Sequence, residues 1–352
     1  MTGDPPPQQP QPASASPLLV AVVVSVALVA VAVLGGVGIS RLARAAPSPS
    51  PSFVRPSPAS PASAEPQSTD TGPLVFTQPL SAGCAAGDAV YVVSDGGGIG
   101  RFAFDRWQLI DATARSLSAA VCQGDRLTAV GGGGRVITID DRLQSIRSDT
   151  IQFADFLGLA PLADGLLVVG RTGTVERQDA NGWGVYAGGI DEDLYAVAAF
   201  SPTSAWVAGS GGVTYRLEPA GWRPVATEVT ATLRAISATS VDDAVVVGDD
   251  GAVLIWGGRW KQLGDVPKVA YHAVLRVGPV TYAAGDGGTL ISFQSAPFTR
   301  ADVSLVDLRT SCTLRALFTR GTELWVVGSD GGHAGVWRIS AGGAVFHWGQ
   351  CA

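Results

Sequence analysis

One segment of this chain recurs seven times after residue 73, and this repeat limits the possible folds more than any other feature. Each copy joins two short apolar strands through a turn rich in glycine and aspartate, as in AVVVGDDGAVLIW and TYAAGDGGTLISF. The copies lie about 40 residues apart, a period typical of β-propeller blades. The first strand of each copy ends at an anchor residue: Ser94, Gly131, Gly170, Gly209, Gly248, Gly285 and Gly328. The sequence therefore predicts an all-β, seven-bladed propeller.

The copy that contains Gly248 shows how each unit is expected to fold. A first strand near 232–238 turns into a second strand, Ala244–Val247, a third strand ends at Trp256, and a fourth carries Trp260. Four such antiparallel strands make one blade, and blades must stack around an axis because a single blade cannot bury both of its apolar faces. Four tryptophans recur 12 or 13 residues after their anchors, and we expect them to pack between blades: Trp107, Trp183, Trp222 and Trp260.

The charge of the chain argues against one class of partner. The net charge is -6. Residues 1–72 carry three acidic and three basic side chains, so the whole excess lies on residues 73–352. An acidic domain is poorly suited to a nucleic acid backbone, so we expect no nucleic acid partner.

The N-terminal part of the chain divides into three segments. Residues 1–17 and 40–72 are rich in proline, serine and alanine, which predicts a disordered tail and a disordered linker. Residues 18–39 are 22 consecutive positions without a charge. As a helix they would span roughly 33 Å, close to the hydrocarbon core of about 30 Å, so we expect a single transmembrane anchor. The alternative is a signal peptide cleaved after Ala43-Arg44-Ala45, although the apolar run is longer than a typical signal and follows no basic residue.

Two signals conflict over which side of the membrane the propeller occupies. Arg41, Arg44 and Arg55 follow the apolar run, and the positive-inside rule would place the remaining chain in the cytoplasm. The chain also has four cysteines without C-x-x-C spacing and only three histidines, which favours disulfides over zinc. Disulfides form in oxidising compartments, so we expect the propeller on the exoplasmic side of the cell membrane.

The blade register predicts how the cysteines pair. Cys84 and Cys122 lie near the ends of the innermost strands of blades 1 and 2, and Cys312 and Cys351 lie at the two ends of blade 7. Of the three possible connectivities, this register favours Cys84–Cys122 and Cys312–Cys351. The second bridge would fasten the C-terminus near the point of ring closure.

The repeat pattern resembles known propeller families. The pattern V-V-G-D-x-G-x-[VIL]-x-x-[WF] followed by G-x-W, seen from Val246 to Trp260, resembles BNR/Asp-box-like and photosystem-assembly-factor-like repeats, and more loosely the WD and YVTN repeats. This resemblance implies a bacterial secreted or membrane protein. The order of leader, helix, Pro/Ser-rich linker and propeller is similar to the outer half of bacterial sensor kinases, which implies a role in sensing or docking.

Propellers usually bind ligands at the mouth of the channel, where the innermost strands begin. Counting back 13 or 14 residues from each anchor gives one mouth position per blade: Ser81, Ser118, Phe156, Tyr195, Arg234, His272 and Arg315. We expect Arg234, His272 and Arg315 to form an anion-attracting patch supported by Tyr195. In the alternative interpretation the arginines only fasten adjacent blades, by pairing with turn aspartates: Asp249, Asp286 or Asp330.

The sequence favours binding over catalysis. The glycine-rich turns lack the strand-to-helix context of a phosphate loop, and each turn offers too few carboxylates for calcium, so we expect no metal and no cofactor. No serine or cysteine nucleophile motif accompanies the histidines, so we do not expect the protein to be an enzyme. The predicted function is a membrane-anchored binding, scaffolding or sensor module for a protein, peptide or glycan. The alternatives are an envelope enzyme of the glycoside hydrolase or lyase type, and an assembly factor facing the cytoplasm.

Overall fold

The computed structural model of the protein describes residues 68–70, 76, 78–111, 115–140, 146–150, 154–186, 188–294 and 303–351. These residues form seven antiparallel sheets, and the predicted propeller of seven four-stranded blades is confirmed. The predicted tail at 1–17, the predicted membrane helix at 18–39 and the linker up to residue 67 lie outside the described residues. Within the part of the chain that the structure describes, no helix combines the length and apolar character that crossing a membrane requires.

The strands are numbered β1 to β29 in chain order, and each blade takes four consecutive strands. Before the first blade lies β1 (Ser68–Asp70). The strands of blades 1 to 3 are β2 (Leu80–Ala86), β3 (Ala89–Ser94), β4 (Gly98–Ala103), β5 (Arg106–Asp111), β6 (Leu117–Gln123), β7 (Arg126–Gly131), β8 (Arg135–Asp140), β9 (Ile146–Thr150), β10 (Phe156–Leu162), β11 (Gly165–Gly170), β12 (Val175–Asp179) and β13 (Gly182–Val185).

Blades 4 to 7 follow the same order, and in three of them a one-turn 3-10 helix forms the turn after the second strand. Their strands are β14 (Leu194–Ser201), β15 (Ser204–Gly209), β16 (Thr214–Glu218), β17 (Gly221–Pro224), β18 (Leu233–Ser240), β19 (Asp243–Gly248), β20 (Val253–Trp256), β21 (Trp260–Gln262), β22 (Tyr271–Val277), β23 (Val280–Gly285), β24 (Leu290–Gln294), β25 (Ser304–Leu305), β26 (Thr313–Arg320), β27 (Glu323–Asp330), β28 (His333–Ile339) and β29 (Val345–Gly349). The short helices are Ser210–Gly212, Asp249–Gly251 and Asp286–Gly288.

The first strand of each blade lies innermost, and these strands close a ring. Each innermost strand contacts that of the next blade, and the strand of blade 7 contacts that of blade 1; the members are β2, β6, β10, β14, β18, β22 and β26. The second strand of each blade lies between two sheets, and in blade 5 its residues 244–247 are fully buried. A strand covered on both sides needs a continuous apolar run, which explains the recurring AVVV-type segments.

The anchor glycines are required by a close backbone approach. At Gly248 a Cβ atom would lie 2.1 Å from the carbonyl oxygen of Thr232, just before the innermost strand of the same blade. The backbone of Gly248 is extended (φ -168°), so lack of space, and not a left-handed conformation, selects glycine there. The anchors of four other blades meet the equivalent carbonyl at 2.0–2.2 Å: Gly131, Gly170, Gly209 and Gly285.

Seven buried hydrophobic clusters occupy the seven interfaces between neighbouring blades. All four tryptophans predicted to pack between blades lie in these clusters or against them, each facing the preceding blade. In the interface of blades 4 and 5, the rings of Trp206, Trp256 and Trp260 lie within 5.3 Å of one another. The indole N–H of Trp260 also donates to Thr214 Oγ1 of blade 4 at 3.0 Å. The predicted packing role of these tryptophans is confirmed.

The ring closes between blades 7 and 1 through packing, because none of the described strands is shared between these two blades. The ring centre of Phe102 in blade 1 lies 5.6 Å from that of Trp325 and 5.0 Å from that of Trp348, both in blade 7. The indoles of Trp325 and Trp348 stack with their centres 5.5 Å apart. Instead of joining blade 7, β1 pairs with β5 at the outer edge of blade 1. Blade 1 therefore includes residues before position 73, where the repeat begins in the sequence.

Two disulfides fasten the ring, with the connectivity predicted from the sequence. Cys84 and Cys122 join the innermost strands of blades 1 and 2, with Cα atoms 5.6 Å apart. Cys312 and Cys351 join the residue before β26 to the end of the last strand of blade 7, with Cα atoms 6.0 Å apart. All four cysteines of the chain are therefore oxidised.

Candidate binding site at the channel mouth

Every innermost strand has a β-bulge near its start, after its first residue in blades 1 to 6 and after its second residue in blade 7. In blade 5, Leu233 pairs with Gly248 and Ala235 pairs with Val247, which leaves Arg234 without a partner across the ladder. The same irregularity occurs in all seven blades, at Ser81, Ser118, Leu157, Tyr195, Arg234, His272 and Arg315. Bulges re-aim a side chain out of the regular alternation and are common beside functional sites. The bulge residues define the mouth of the channel.

Six of the seven mouth positions expected from the sequence are bulge residues, and the seventh is wrong. Phe156 pairs with the anchor Gly170 and is fully buried, so the bulge of blade 3 is Leu157. The error has a physical cause. Blades 4 and 5 have a second bulge near the end of the innermost strand, which lengthens the count from bulge to anchor by one residue, and blade 3 lacks it.

Arg234 of blade 5 is held by a two-pronged ion pair. Its Nε donates to Asp249 Oδ1 at 2.5 Å and its Nη2 donates to Asp249 Oδ2 at 2.8 Å. These hydrogen bonds raise the pKa of Arg234, so the guanidinium is charged. Its central carbon lies 5.8 Å from the ring centre of Tyr195 in blade 4. Because Arg234 and Asp249 belong to the same blade, the pair fastens the innermost strand to its own turn and does not join two blades.

His272 of blade 6 makes the corresponding contact with its own turn. Its Nε2 lies 2.8 Å from Asp286 Oδ1, and Thr313 of blade 7 donates to the same oxygen at 3.1 Å. Burial lowers the pKa of His272, and the charges of Arg315 and Arg234 also lower it, against the opposing effect of Asp286. The ring is therefore neutral at neutral pH. Since the carboxylate accepts from Nε2, the neutral ring presents Nδ1 as a hydrogen-bond acceptor.

The carboxyl of Asp286 stays ionised in this arrangement. Burial alone would raise its pKa, but the hydrogen bonds from His272 and Thr313 and the charge of Arg315 lower the pKa below its ordinary value. Asp249 is engaged by Arg234 in the neighbouring blade. The turn carboxylates of blades 5 and 6 therefore serve as fixed acceptors for the bulge side chains.

Arg315 of blade 7 differs from Arg234 and His272, the other two basic residues at bulge positions. In the part of the chain that the structure describes it makes no ion pair and no hydrogen bond, and its Nε is buried without a partner. The reason lies in the turn of its own blade. Ser329 occupies the position held by Asp249 and Asp286 in blades 5 and 6, and its buried hydroxyl donates to Leu80 O at 3.5 Å.

The partner suggested for Arg315 by the sequence does not contact it. Asp330 lies exposed at the end of β27, where the hairpin of blade 7 continues to a pair with His333. The charge of Arg315 acts instead on two other turn carboxyls, those of Asp95 in blade 1 and Asp286 in blade 6. Asp95 occupies the same turn position as Asp249.

Asp95 completes a pair of unlike charges that do not touch. Asp95 is exposed, yet desolvation by the surrounding residues raises the pKa of its carboxyl and the charge of Arg315 opposes that rise. Among the described residues Asp95 has no side-chain hydrogen bond and no ion pair. The junction of blades 7 and 1 therefore presents a cation and a carboxyl, each available to an external group.

A different arrangement, which was not predicted from the sequence, occupies the opposite side of the mouth. Arg171 lies between Asp155 and Asp193, with its Nε 3.3 Å from the first carboxylate and its Nη1 3.0 Å from the second. The two carboxylates also accept backbone N–H groups, from Gly133 at 2.9 Å and Thr172 at 2.8 Å respectively. One signal could have revealed this network, because both aspartates immediately precede an innermost strand and Arg171 directly follows an anchor glycine.

A cleft of about 680 Å³ opens beside the mouth, between the turns of blades 5 and 6. Its wall consists of Thr230, Ala231, Thr232, Asp249, Asp250, Lys268, Val269, Ala270 and Asp286. Two of these carboxylates are already held by Arg234 and His272, so the cleft is an extension of the mouth and not a separate charged site. Within the described ranges, no three metal-ligating side chains cluster together. The expectation of neither metal nor cofactor stays a prediction.

The structure brings together the four residues expected to contact a ligand. Tyr195, Arg234, His272 and Arg315 occupy the same bulge position on four consecutive blades. Whether they bind a partner stays a prediction. The geometry refines the expected patch, because the charge of Arg234 is matched by Asp249 and the ring of His272 is neutral, which leaves Arg315 as its unmatched cation.

Comparison with known proteins defines the class by fold. No protein-family model matches the chain, and no curated protein matches it. Among solved structures, the chain is similar to the WD40 beta propeller domain of Doa1, with a TM-score of 0.63 over 81% of this chain and 97% of that chain. The sequence identity is only 9%, so the likeness shows the fold alone. The protein is a seven-bladed β-propeller, and the specific resemblance to BNR/Asp-box-like repeats has no support from these comparisons.

Proposed function

We propose that this protein is a membrane-anchored propeller whose channel mouth binds a protein, peptide or glycan on the exoplasmic side. The observation that carries the proposal is the side chain of Arg315, which is positioned at the mouth by a bulge and has no partner in the described part of the chain. An unmatched guanidinium held at the edge of a rigid ring favours binding of an external acceptor. The mouth would act as a docking surface for sensing or scaffolding.

The proposed location follows from the cysteines and the N-terminal sequence. Both disulfides join elements of the folded ring, and such bonds persist in oxidising compartments. Residues 18–39 have the length and composition of a membrane anchor, and residues 40–67 would provide a spacer of up to roughly 85 Å in an extended form. The repeat resemblance to bacterial secreted and membrane propellers agrees with this proposal.

Binding is favoured over catalysis by the protonation of the mouth. The pKa of Asp286 is lowered and Asp249 is engaged by Arg234, so neither carboxyl is poised to donate a proton near neutral pH. The ring of His272 donates its Nε2–H to a carboxylate, which fixes its orientation. These groups support recognition of a ligand, and we propose no reaction for them.

Site-specific photo-crosslinking in intact cells tests the proposal. A photoreactive aromatic residue would replace Ser118, the bulge residue of blade 2 at the mouth, and a matched one would replace Phe104, which is 90% exposed at the opposite end of blade 1. We expect a discrete adduct from the mouth position and none from the Phe104 position. A second test uses protease on cells whose outer layer has been permeabilised while the membrane that holds the anchor stays intact. The protease should cleave the linker at 40–72 and release the propeller.

Two results would contradict the proposal separately. Equal adducts from both positions, or none from the mouth, would remove the mouth as the docking surface. A linker that resists protease until the membrane is dissolved would place the propeller in the cytoplasm, which is the alternative of a cytoplasmic assembly factor.

A further inference from the structure

The junction of blades 7 and 1 carries two opposite charges that do not pair, whereas the equivalent charges of blade 5 bind each other. Arg315 is the bulge residue of blade 7, and Asp95 is the turn residue of blade 1. In blade 5 the same two positions hold Arg234 and Asp249, which bind each other through two hydrogen bonds. At the junction the two positions come from different blades, and no hydrogen bond or ion pair joins them in the described part of the chain.

The two charges lie on blades that are in contact at the mouth. The innermost strand of blade 7 packs beside that of blade 1, and Ser329 of the blade 7 turn donates to Leu80 O at the start of blade 1. The charge of Arg315 also acts on the Asp95 carboxyl, although no hydrogen bond joins them. A group that fits this region must accept hydrogen bonds from a guanidinium and donate one to a carboxylate. A peptide C-terminus does both, because its carboxylate accepts and its adjoining amide N–H donates.

The surrounding charges favour a single negative charge over two. Asp95 and Asp286 lie within the electrostatic range of Arg315, and His272 is neutral at neutral pH. A phosphate dianion would be attracted by one guanidinium and repelled by two carboxylates, whereas a carboxylate carries half that charge. Arg234 offers no second site, because its fork is occupied by Asp249.

We infer that Arg315 and Asp95 form a subsite for the free C-terminus of a peptide, with Arg315 binding the carboxylate and Asp95 accepting the adjoining amide N–H. The inference rests on the proposed function, since it names the chemistry of the partner at the same mouth. It assigns the specificity of the mouth to blades 7 and 1. The Arg234–Asp249 pair serves as internal structure.

Binding of small probes to the full chain in detergent tests this inference. The probes are N-acetyl-dialanine with a free carboxylate, its C-terminal amide, glucuronate and inorganic phosphate, each titrated up to millimolar concentration by NMR. We expect the free-acid peptide to bind. Amidation and Arg315→Ala should each weaken its affinity by about tenfold or more, as loss of a charge-assisted hydrogen bond implies.

Further variants separate recognition from folding. Arg315→Lys keeps the charge without the fork, so we expect intermediate affinity. Asp95→Asn should weaken the free-acid peptide but leave glucuronate and phosphate unaffected or tighter. Arg171→Ala removes a cation on the opposite side of the mouth, where it lies between two aspartates, and should leave the affinity unchanged.

Several outcomes would overturn the inference. These are equal binding of acid and amide peptides, tighter binding of phosphate, tighter binding of glucuronate, which would assign the site to a glycan, or no binding of any probe. A mouth that forms a crosslinked adduct in cells yet does not distinguish acid from amide would keep the proposed function and reject this subsite. A mouth that binds the acid peptide but forms no adduct would reject the function alone.

Discussion

The charged side chains on two sides of the channel mouth are arranged differently: on one side they are paired, and on the other they are not. On the paired side, at blades 3 and 4, Arg171 is held between Asp155 and Asp193. On the open side, at blades 7 and 1, Arg315 and Asp95 remain apart. Charges that are paired contribute to structure, whereas charges that are kept apart are available to a ligand. This difference is the reason for proposing a ligand subsite at the junction of the first and last blades.

The packing beneath the two sides differs in the opposite sense. Beneath the open side, the cluster of blades 7 and 1 buries Phe102, Trp107 and Trp325 almost completely. Beneath the paired side, the aromatic residues at the interface of blades 3 and 4, including Trp222, are only partly buried. The ring therefore closes through apolar burial at the junction, so its mouth charges are not needed to hold the blades together.

The largest effect is expected from the packing of the open side. Trp325→Ala removes a fully buried indole that contacts rings of both blades, so we expect a loss of about 3–5 kcal/mol in the free energy of unfolding. Trp222→Ala, at the interface of blades 3 and 4, is the matched control and should cost less. Urea denaturation followed by far-UV circular dichroism measures both. Equal losses would show that ring closure does not depend on this cluster.

A smaller effect is expected from the charges of the paired side. Asp193→Ala removes a partly exposed ion pair and the acceptor for the Thr172 N–H, whose residue has a positive φ of 50°. We expect a loss of about 1 kcal/mol. Asp95→Ala on the open side should change stability by less than about 0.5 kcal/mol, because Asp95 has no such contact. Comparable losses from both variants would contradict the distinction between the two sides.

Acid should weaken the fold through His272. Burial lowers its pKa in the folded state, so the unfolded chain binds the proton more readily. The contribution of His272 to the free energy of unfolding is therefore fully present above the ordinary histidine pKa of about 6.5. It is lost as the pH falls through the lowered pKa of the folded state. Urea denaturation at pH 7.5 and at pH 5 should show a loss that is smaller in His272→Gln. His347, whose pKa is also lowered by burial, remains in that variant and accounts for part of the residual dependence. Identical losses in both proteins would show that His272 does not cause the loss of stability in acid.

The parts of the fold that repeat could be predicted from the sequence, and the parts that break the repeat could not. The period gave seven blades and placed Cys84 opposite Cys122, because equivalent positions in neighbouring blades are adjacent in space. It misplaced Phe156, because a bulge shifts the count by one residue without changing the pattern of apolar positions. It also left the pairing of Arg315 open, because that depends on Ser329, which occupies the position where blades 1, 5 and 6 have aspartate.

Side-chain networks between blades also could not be predicted from the sequence. Asp155, Arg171 and Asp193 belong to two blades and come together only when the innermost strands lie side by side. Asp155 and Asp193 do share one repeat position, directly before an innermost strand, but the equivalent residues of blades 2, 5 and 6 are Ser116, Thr232 and Ala270, so the repeat as a whole does not mark the network. The mouth could therefore be located from the sequence, but the distribution of paired and unpaired charges around it could not.

A double-mutant cycle on Arg315 and Asp95 measures whether these two charges bind each other in the free protein. The free energy of unfolding would be measured for Arg315→Gln, Asp95→Asn and their combination, beside the same cycle for Arg234→Gln and Asp249→Asn. We expect a coupling of about 1 kcal/mol for the bidentate pair of blade 5, and less than about 0.3 kcal/mol for Arg315 and Asp95. A coupling between Arg315 and Asp95 as large as that of the blade 5 pair would contradict the account, because it would show that the two charges bind each other in solution.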